Sequence, residues 1–336
     1  MKIFNDNVFV MIPAYRDPDL LLTVETLYKN ADNPERLRVV VASQYEDDKY
    51  PDLSIIPPEQ LVEIRLHPDG RPGINRIRRL LQGFYNYEKW ILSIDSHTIM
   101  GESWDTKLKD EFYKISESVG NNKIVLREAT GYDDRGRLRD FVPRFVEQSW
   151  PAINENGETE KVITYGVDMQ GEESFIASPG HFAKSLYLLT GTFFAPGQFF
   201  EENLFPYDNQ AEQEEPYMSF QAYMKGWDIY IINVHSFSII DHKPENYYAA
   251  TKTEVIDEDG NKTLWLLDGY KIMQDEDLFL VMQQLLGAYI LESGPYAIKD
   301  PVRTAQSFWK IAGNWSEYVK VSKKMFGIDP EKDVIQ

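Results

Sequence analysis

The chain has 336 residues, 43% hydrophobic and 13% aromatic, with a formal net charge of −19 and no cysteine. This content supports a sizeable core in two domains, or in one large domain with an appendage, and excludes a disordered chain. The acidity argues against non-specific wrapping of nucleic acid, which needs clustered Lys and Arg, and the missing cysteines exclude disulfides and thiolate metal sites. No run approaches the roughly 20 apolar residues that cross a bilayer, and residues 1–10 lack the long apolar core of a secretion signal. A soluble, cytoplasmic protein with no membrane partner is expected.

Residues 8–12 form an apolar run that Pro13-Ala14-Tyr15-Arg16-Asp17-Pro18 breaks. Helical spacing follows over 20–30. A β-branched run over 37–42 predicts a second strand, alternation over 62–66 a third, and the apolar run 90–94 a fourth. An amphipathic helix over 74–84 separates the last two. Strands alternating with helices predict an α/β chain built of right-handed βαβ units. The sheet is then mixed, mainly parallel, Rossmann-like and flanked by helices. Ligands of such sheets bind beyond the carboxyl ends of the strands. Tyr15, Arg16, Asp17, Gln44 and Asp95-Ser96-His97 all follow strands, so one crevice can collect them.

A helix is predicted over 104–119 and a strand over 124–128. Residues 133–171 are rich in charge, Gly and Pro, and read as hairpins or a mobile excursion. The segment 186–200 is apolar and strand-like. A helix over 214–225 ends at Gly226, and strands are predicted over 229–232 and 237–240. Asp257-Glu258-Asp259-Gly260 has Asp-Gly at its centre and predicts a hairpin turn. Helices follow over 275–291 and 301–311. A soft boundary near Ala250 divides residues 1–250 from a mainly helical C-terminal part, 251–336.

Asp95 and His97 lie two positions apart just past a strand end, where both can reach one divalent metal. Taken alone, a loop Asp capping the next helix is the commoner explanation. Of the five histidines, His242 sits at a strand end beside Asp241 and is the candidate third ligand; His235 is its rival, and either can be a hydrogen-bonded loop residue. A departing diphosphate needs its charge neutralised, and Mn²⁺ or Mg²⁺ suits that task. Glu212-Gln213-Glu214-Glu215 either compensates a helix dipole or presents a carboxylate to a sugar or acceptor. Arg71-Pro72-Gly73-Ile74-Asn75-Arg76 opens a helix; it can hold phosphate or form a solvated basic face. The segment from Gly191 to Gly197 either lets backbone approach a sugar or is a buried strand with a turn.

Together these segments resemble the GlcNAc-transferase family typified by cytoplasmic enzymes that glycosylate hydroxyproline on a ubiquitin-ligase subunit. The resemblance runs in order through residues 8–17, Asn33-Pro34-Glu35-Arg36, Ile94-Asp95-Ser96-His97 and Phe194-Ala195-Pro196-Gly197. It continues through Glu214-Glu215 and Lys225-Gly226-Trp227-Asp228-Ile229-Tyr230. It covers residues 8–242 and leaves the C-terminal part unmatched. It implies a GT-A-like fold, a UDP-sugar donor and retention of anomeric configuration. It implies Mn²⁺ at Asp95 and His97, with His242 as third ligand. Tyr15, Arg16 and Asp17 would lie near the base and ribose, and Glu214 and Glu215 by the donor sugar or acceptor. Two departures stand out: Gln213 replaces the family's Gly before the paired Glu, and the stretch from Tyr230 to His242 is longer, which keeps His235 in competition.

The expected activity is metal-dependent, retaining transfer of a hexosyl or N-acetylhexosaminyl group from a UDP-sugar to a hydroxyl of a protein, a glycan or a modified nucleic-acid base. The catalytic candidates are Glu214 and Glu215, the donor-binding candidates Tyr15, Arg16, Asp17, Gln44, Arg76 and Asp95, and the metal candidates Asp95, His97 and His242. Two other readings are a nucleotidyltransferase and a nucleotide- or carbohydrate-binding module without turnover.

Overall fold

The computed structural model describes residues 5–68, 73–128, 138–153, 159–175, 182–206, 214–234, 236–239, 252–256, 262–266 and 275–332. The first part comprises β1 (Asn5–Tyr15), α1 (Leu20–Lys29), β2 (Leu37–Gln44), β3 (Leu61–Leu66), α2 (Ile74–Gln82), β4 (Glu88–Ile94), β5 (Thr98–Met100), α3 (Trp104–Val119) and β6 (Ile124–Glu128). Next come β7 (Leu138–Ile153), β8 (Thr159–Phe175), β9 (Phe182–Ser185), β10 (Thr192–Pro196), α4 (Gln198–Glu202), α5 (Glu214–Met224), β11 (Asp228–Ile232) and β12 (Phe237–Ile239). The last elements are β13 (Lys252–Ile256), β14 (Lys262–Leu266), α6 (Asp275–Leu291), α7 (Ala305–Ile311) and α8 (Trp315–Phe326).

Eight strands form one sheet in the order β3-β2-β1-β4-β10-β6-β11-β9. β1 pairs in parallel with β2 and β4, β2 with β3, and β6 with β11; β10 and β9 run antiparallel to their neighbours. Along β1, Val8, Val10, Ile12 and Ala14 enter one apolar layer, while Phe9 and Met11 enter the other. A sheet buried on both faces needs apolar residues at successive positions, so its central strands read as unbroken apolar runs. Leu20, Val24 and Leu27 of α1 cover the first face, with Trp104, Leu108, Phe112 and Ile115 of α3. Ile77 and Leu81 of α2, Phe220 of α5 and the C-terminal helices cover the second.

Register sets up the site. Tyr15 at the end of β1 lies opposite Gln44 at the end of β2. Thr192 opens β10 opposite Ile94 at the end of β4, so Gly191 falls beside Asp95. The expected mixed, mainly parallel sheet flanked by helices is therefore present.

The charged stretch over 133–171, read as hairpins or a mobile excursion, contains a long antiparallel hairpin ribbon, β7 with β8. Two local expectations differ from the structure. The segment 186–200 is a strand only at Thr192–Pro196. Pro196 and the helix Gln198–Glu202 end it. At Gly197, between them, a Cβ would sit 2.1 Å from the Glu88 carbonyl oxygen, so only glycine fits. The helix Trp315–Phe326 has no counterpart in the sequence reading; Gly327, at φ 68°, stops it in the left-handed region where glycine is unstrained. The turn at 257–260 lies outside the described residues, while its flanks pair antiparallel through Ile256 and Lys262. No described helix is long and apolar enough to cross a membrane.

The C-terminal helices share the sheet's second core layer. The rings of Phe145 and Trp309 are 4.2 Å apart at their centroids, and Trp309 Nε1 donates to the Tyr289 carbonyl at 3.0 Å. Arg144 Nη1 donates to the Ala312 carbonyl. Truncation of a fully buried Trp typically costs about 3–5 kcal/mol. Trp309→Ala should therefore shift one cooperative urea transition of the whole chain to lower denaturant. A separate early transition, with the sheet unfolding unchanged, would refute the shared core.

Candidate active site

A cleft of about 570 Å³ opens at the carboxyl ends of the central strands. Pro13, Ala14 and Tyr15 line it from β1, Gln44 from β2, and Ile74 and Arg78 from α2. Asp95, Ser96 and His97 follow β4, with Gly191 beside them. Phe141 and Asp168 come from the ribbon, Tyr187 from the loop before β10, and Glu214, Glu215 and Pro216 from α5. Tyr15, Gln44, Asp95, His97, Glu214 and Glu215, far apart in sequence, thus share one cavity.

Asp17 lies behind that cavity rather than on its wall, and is 3% exposed. Its Oδ2 accepts from Ser96 Oγ at 2.6 Å and meets His97 Nδ1 at 2.8 Å; its Oδ1 accepts from the Asp19 amide at 2.9 Å. Burial pushes the Asp17 carboxyl up, but the bonds from His97, Ser96 and the Asp19 amide outweigh it and hold the group below its ordinary 3.8. When Nδ1–H donates to Asp17, the imidazole lone pair sits on Nε2, the arrangement of a carboxylate-oriented metal ligand. Thr23 of α1 completes the mount: its Oγ1 donates to the Ser96 carbonyl at 2.7 Å and accepts from the Thr98 amide at 2.9 Å.

Arg16 also stays off the cleft wall. It has φ 49° and its Nη2 pairs with Glu46 at 2.8 Å. On α2, Arg78 lines the cleft, and Arg76 is not among the residues that line it. Ile74 and Arg78 are four positions apart and share a helix face, whereas Arg76 lies about 200° around the helix from Ile74.

Arg78, its side chain 5% exposed, joins two acids: Nη2 lies 3.0 Å from Asp95 Oδ1 and Nη1 3.3 Å from Glu214 Oε1. Asp95 is also crowded from behind. A Cβ on Gly191 would lie 2.1 Å from Asp95 Oδ2. Glu215, half-buried, accepts from Tyr187 OH at 2.6 Å. Burial pushes its carboxyl up to about 7; Glu214 and Asp95 add to this, and the Tyr187 bond and Arg78 oppose it. Burial and Glu215 likewise raise the Tyr187 phenol, which stays a donor at neutral pH.

Among the described residues no group of three His, Cys, Asp or Glu side chains is placed to hold a metal. His242 and His235 both lie outside the described residues. Asp95 and His97, one carboxylate and one imidazole, suit a borderline or hard divalent ion.

A family model described as Glycosyltransferase (GlcNAc) matches residues 7–69 and 54–240. The chain belongs to this glycosyltransferase family. The match takes in every residue lining the cleft. No curated protein matches the chain in sequence. Among solved structures, the 1–349 portion of S. aureus TarS in complex with UDP-GlcNAc superposes with a TM-score of 0.51 at 13% identity, over 95% of this chain and 73% of that one. The same portion of TarS in a second structure gives 0.48, also at 13% identity, over 95% and 72%. GalNAc-T7 with UDP, GalNAc and Mn²⁺ gives 0.48 at 11% identity, over 96% of this chain; the chain spans 58% of that relative's length. The likeness to TarS is one of fold, the GT-A arrangement expected of a family member.

The Asp17 mount is testable apart from any activity. Because its carboxyl is held below 3.8 in the folded state, Asp17 stabilises the fold above that pH and loses the contribution as pH falls through the folded value. Asp17→Asn should lower unfolding stability at pH 7 by about 1–3 kcal/mol. The gap to the parent chain should narrow below about pH 4 in urea titrations. A gap that is constant with pH would show that the charge contributes nothing.

Proposed function

We propose that the chain moves an N-acetylhexosaminyl group, or another hexosyl group, from a UDP-sugar to a hydroxyl acceptor, with a divalent cation held at Asp95 and His97. The cleft's charge carries this reading. Asp95, Asp168, Glu214 and Glu215 bring four carboxylates to its wall. Its arginine, Arg78, already spans Asp95 and Glu214. A diphosphate entering such a site meets like charge at close range, which is strongly unfavourable away from bulk water. Mn²⁺ or Mg²⁺ bound there would reverse the local sign and neutralise the departing diphosphate. The family match supports the transfer class, and TarS, solved with UDP-GlcNAc, supports the donor class.

The chain's own residues divide the remaining work. Tyr15 and Gln44, at adjacent strand ends, suit the base and ribose. Asp17 fixes His97, and Gly191 leaves room for Asp95. His242 remains the candidate third ligand, with His235 as its rival. On this reading Glu214 and Glu215, both on the cleft wall, serve the donor sugar or the acceptor. Retention of configuration and a hydroxyproline acceptor belong to this reading through the family resemblance; the acidic wall disfavours polyanionic acceptors. All cleft residues fall within 1–250, the proposed transferase domain, with 251–336 as its C-terminal subdomain.

Incubation with Mn²⁺ and a panel of UDP-sugars should release UDP from one donor, and EDTA should abolish that release. Asp95→Asn should lower release at least about 100-fold with the fold intact. Gly191→Ala should act the same way, because its Cβ displaces the Asp95 carboxylate. EDTA-resistant release would remove the metal, and failure to bind any UDP-sugar would remove the transferase reading.

A further inference from the structure

One arginine lies in the core, apart from the cleft. Arg127 of β6 is 0% exposed, within the apolar strand Ile124–Glu128. Its Nη2 bonds Asp140 of β7, itself 6% exposed. Buried ion pairs add little net stability, since desolvation offsets the attraction, so this pair calls for another explanation. Its neighbours supply one. Ser185 Oγ donates to Asp140 Oδ1 at 2.8 Å and accepts from the Tyr187 amide at 3.0 Å. The Arg127 guanidinium lies 5.0 Å from the Tyr187 ring centroid, and Phe141 packs on the same ring at 5.1 Å. Tyr187 is thus gripped at its amide and on its ring, and its hydroxyl reaches Glu215 Oε2 at 2.6 Å. The chain of contacts runs from the sheet core to one carboxylate oxygen in the cleft.

We infer that Tyr187 is a positioning residue that aims the Glu215 carboxylate at the attacking hydroxyl, and that the Arg127–Asp140 pair holds Tyr187 in place. The inference rests on the glycosyltransferase reading for the identity of that hydroxyl. In the transfer step the hydroxyl oxygen bonds to the anomeric carbon from the face that the diphosphate leaves, as retention requires. The bond from that carbon to the diphosphate oxygen breaks, its electron pair leaving with UDP. The hydroxyl proton passes to Glu215 and then to solvent. A base that titrates near neutrality suits the task. Tyr187 binds one oxygen of Glu215 and so fixes the direction of the other. Glu214, Asp95, Asp168, His97 and Arg78 share the cleft and set the remaining field around Glu215.

Tyr187→Phe removes the donated bond and keeps the ring between Arg127 and Phe141. Water serves as the acceptor probe: hydrolysis of UDP-GlcNAc with Mn²⁺ is followed by UDP release, and UDP binding by calorimetry. The variant should lose about 10- to 100-fold in kcat, with KM for UDP-GlcNAc and Kd for UDP within about two-fold of the parent values. Tyr187 donation favours the ionised carboxylate, so its loss should also move the acid limb of the pH–rate profile up by about one unit. Unchanged kcat and profile would overturn the inference, as would a parallel loss of UDP binding, the mark of a structural role. A second measurement needs no turnover. The Glu215 carboxyl carbon, identified in ¹³C spectra by its absence in Glu215→Gln, should titrate higher in Tyr187→Phe than in the parent chain. An unshifted titration overturns the Tyr187 role whatever the donor. Failure of the parent chain to bind UDP would instead strike the transferase reading and leave this measurement to decide on Tyr187.

Discussion

The buried carboxylate of Asp17 is the constraint on which the site depends. It joins the end of β1, the turn after β4 and the start of α1, segments that are about 80 positions apart in part of their span. An unpaired buried charge would be prohibitively costly. Ser96, His97 and the Asp19 amide must therefore stay close to it whenever the chain is folded. That requirement fixes the imidazole orientation. It also fixes the course of the Asp95-Ser96-His97 turn, and through it the direction from which Asp95 meets Arg78. The polar pocket is then as rigid as the sheet that carries it, which is what transfer between two bound groups demands.

Glycine matters here where backbone and side chain converge. β10 runs antiparallel to β4 between Gly191 and Gly197, and a Cβ at either position would collide, with Asp95 at one end and the Glu88 carbonyl at the other. Glycine at both ends is what these close approaches require. Charge placement follows a similar logic. Arg78 with its two acids, and Arg127 with Asp140, are desolvated pairs that pack less favourably than apolar residues of equal volume would. Both lead toward the cleft. Their contacts set geometry at the site: Arg78 holds Asp95 and Glu214, and Arg127 packs on the ring of Tyr187.

Much of this was legible in sequence because burial leaves a periodic trace. The central strands are covered on both faces and show as apolar runs at residues 8–12, 37–42 and 90–94. Asp95 and His97, Tyr15 and Gln44 could be gathered because strand ends in an α/β sheet meet at one edge. The ribbon of β7 and β8 shows only weak alternation in sequence because charged residues are interleaved with the positions it buries, among them Phe145, Tyr165 and Val167. Arg78 rather than Arg76 shares the cleft face of α2 because four residues, not two, return a helix to the face of Ile74. A place after β1 does not fix where a side chain turns: Asp17 turns inward to His97 and Arg16 pairs with Glu46. Tyr187, Asp140 and Arg127 left no local motif, because their contacts are tertiary. The one available signal was an arginine ending the apolar run Ile124-Val125-Leu126, where a charge calls for a partner.

The acidity of the whole chain and the acidity of the cleft act over different ranges, and only the second governs the donor. At physiological ionic strength charges separated by more than about 8 Å are largely screened. A net charge of −19 spread over the surface therefore sets little of the potential felt by a diphosphate at Asp95. The carboxylates lining the cleft share one cavity, where attraction and repulsion are stronger than in bulk water. On the proposed reading, the acids that would repel a bare diphosphate would favour a divalent cation held at Asp95 and His97, which would supply the charge that the donor needs. Donor affinity then depends on the cation steeply, while general salt should alter it far less, because the decisive charges are short-range and partly buried. An acidic protein with an acidic cleft is in this way compatible with a doubly charged donor, provided that the charge at Asp95 and His97 is inverted.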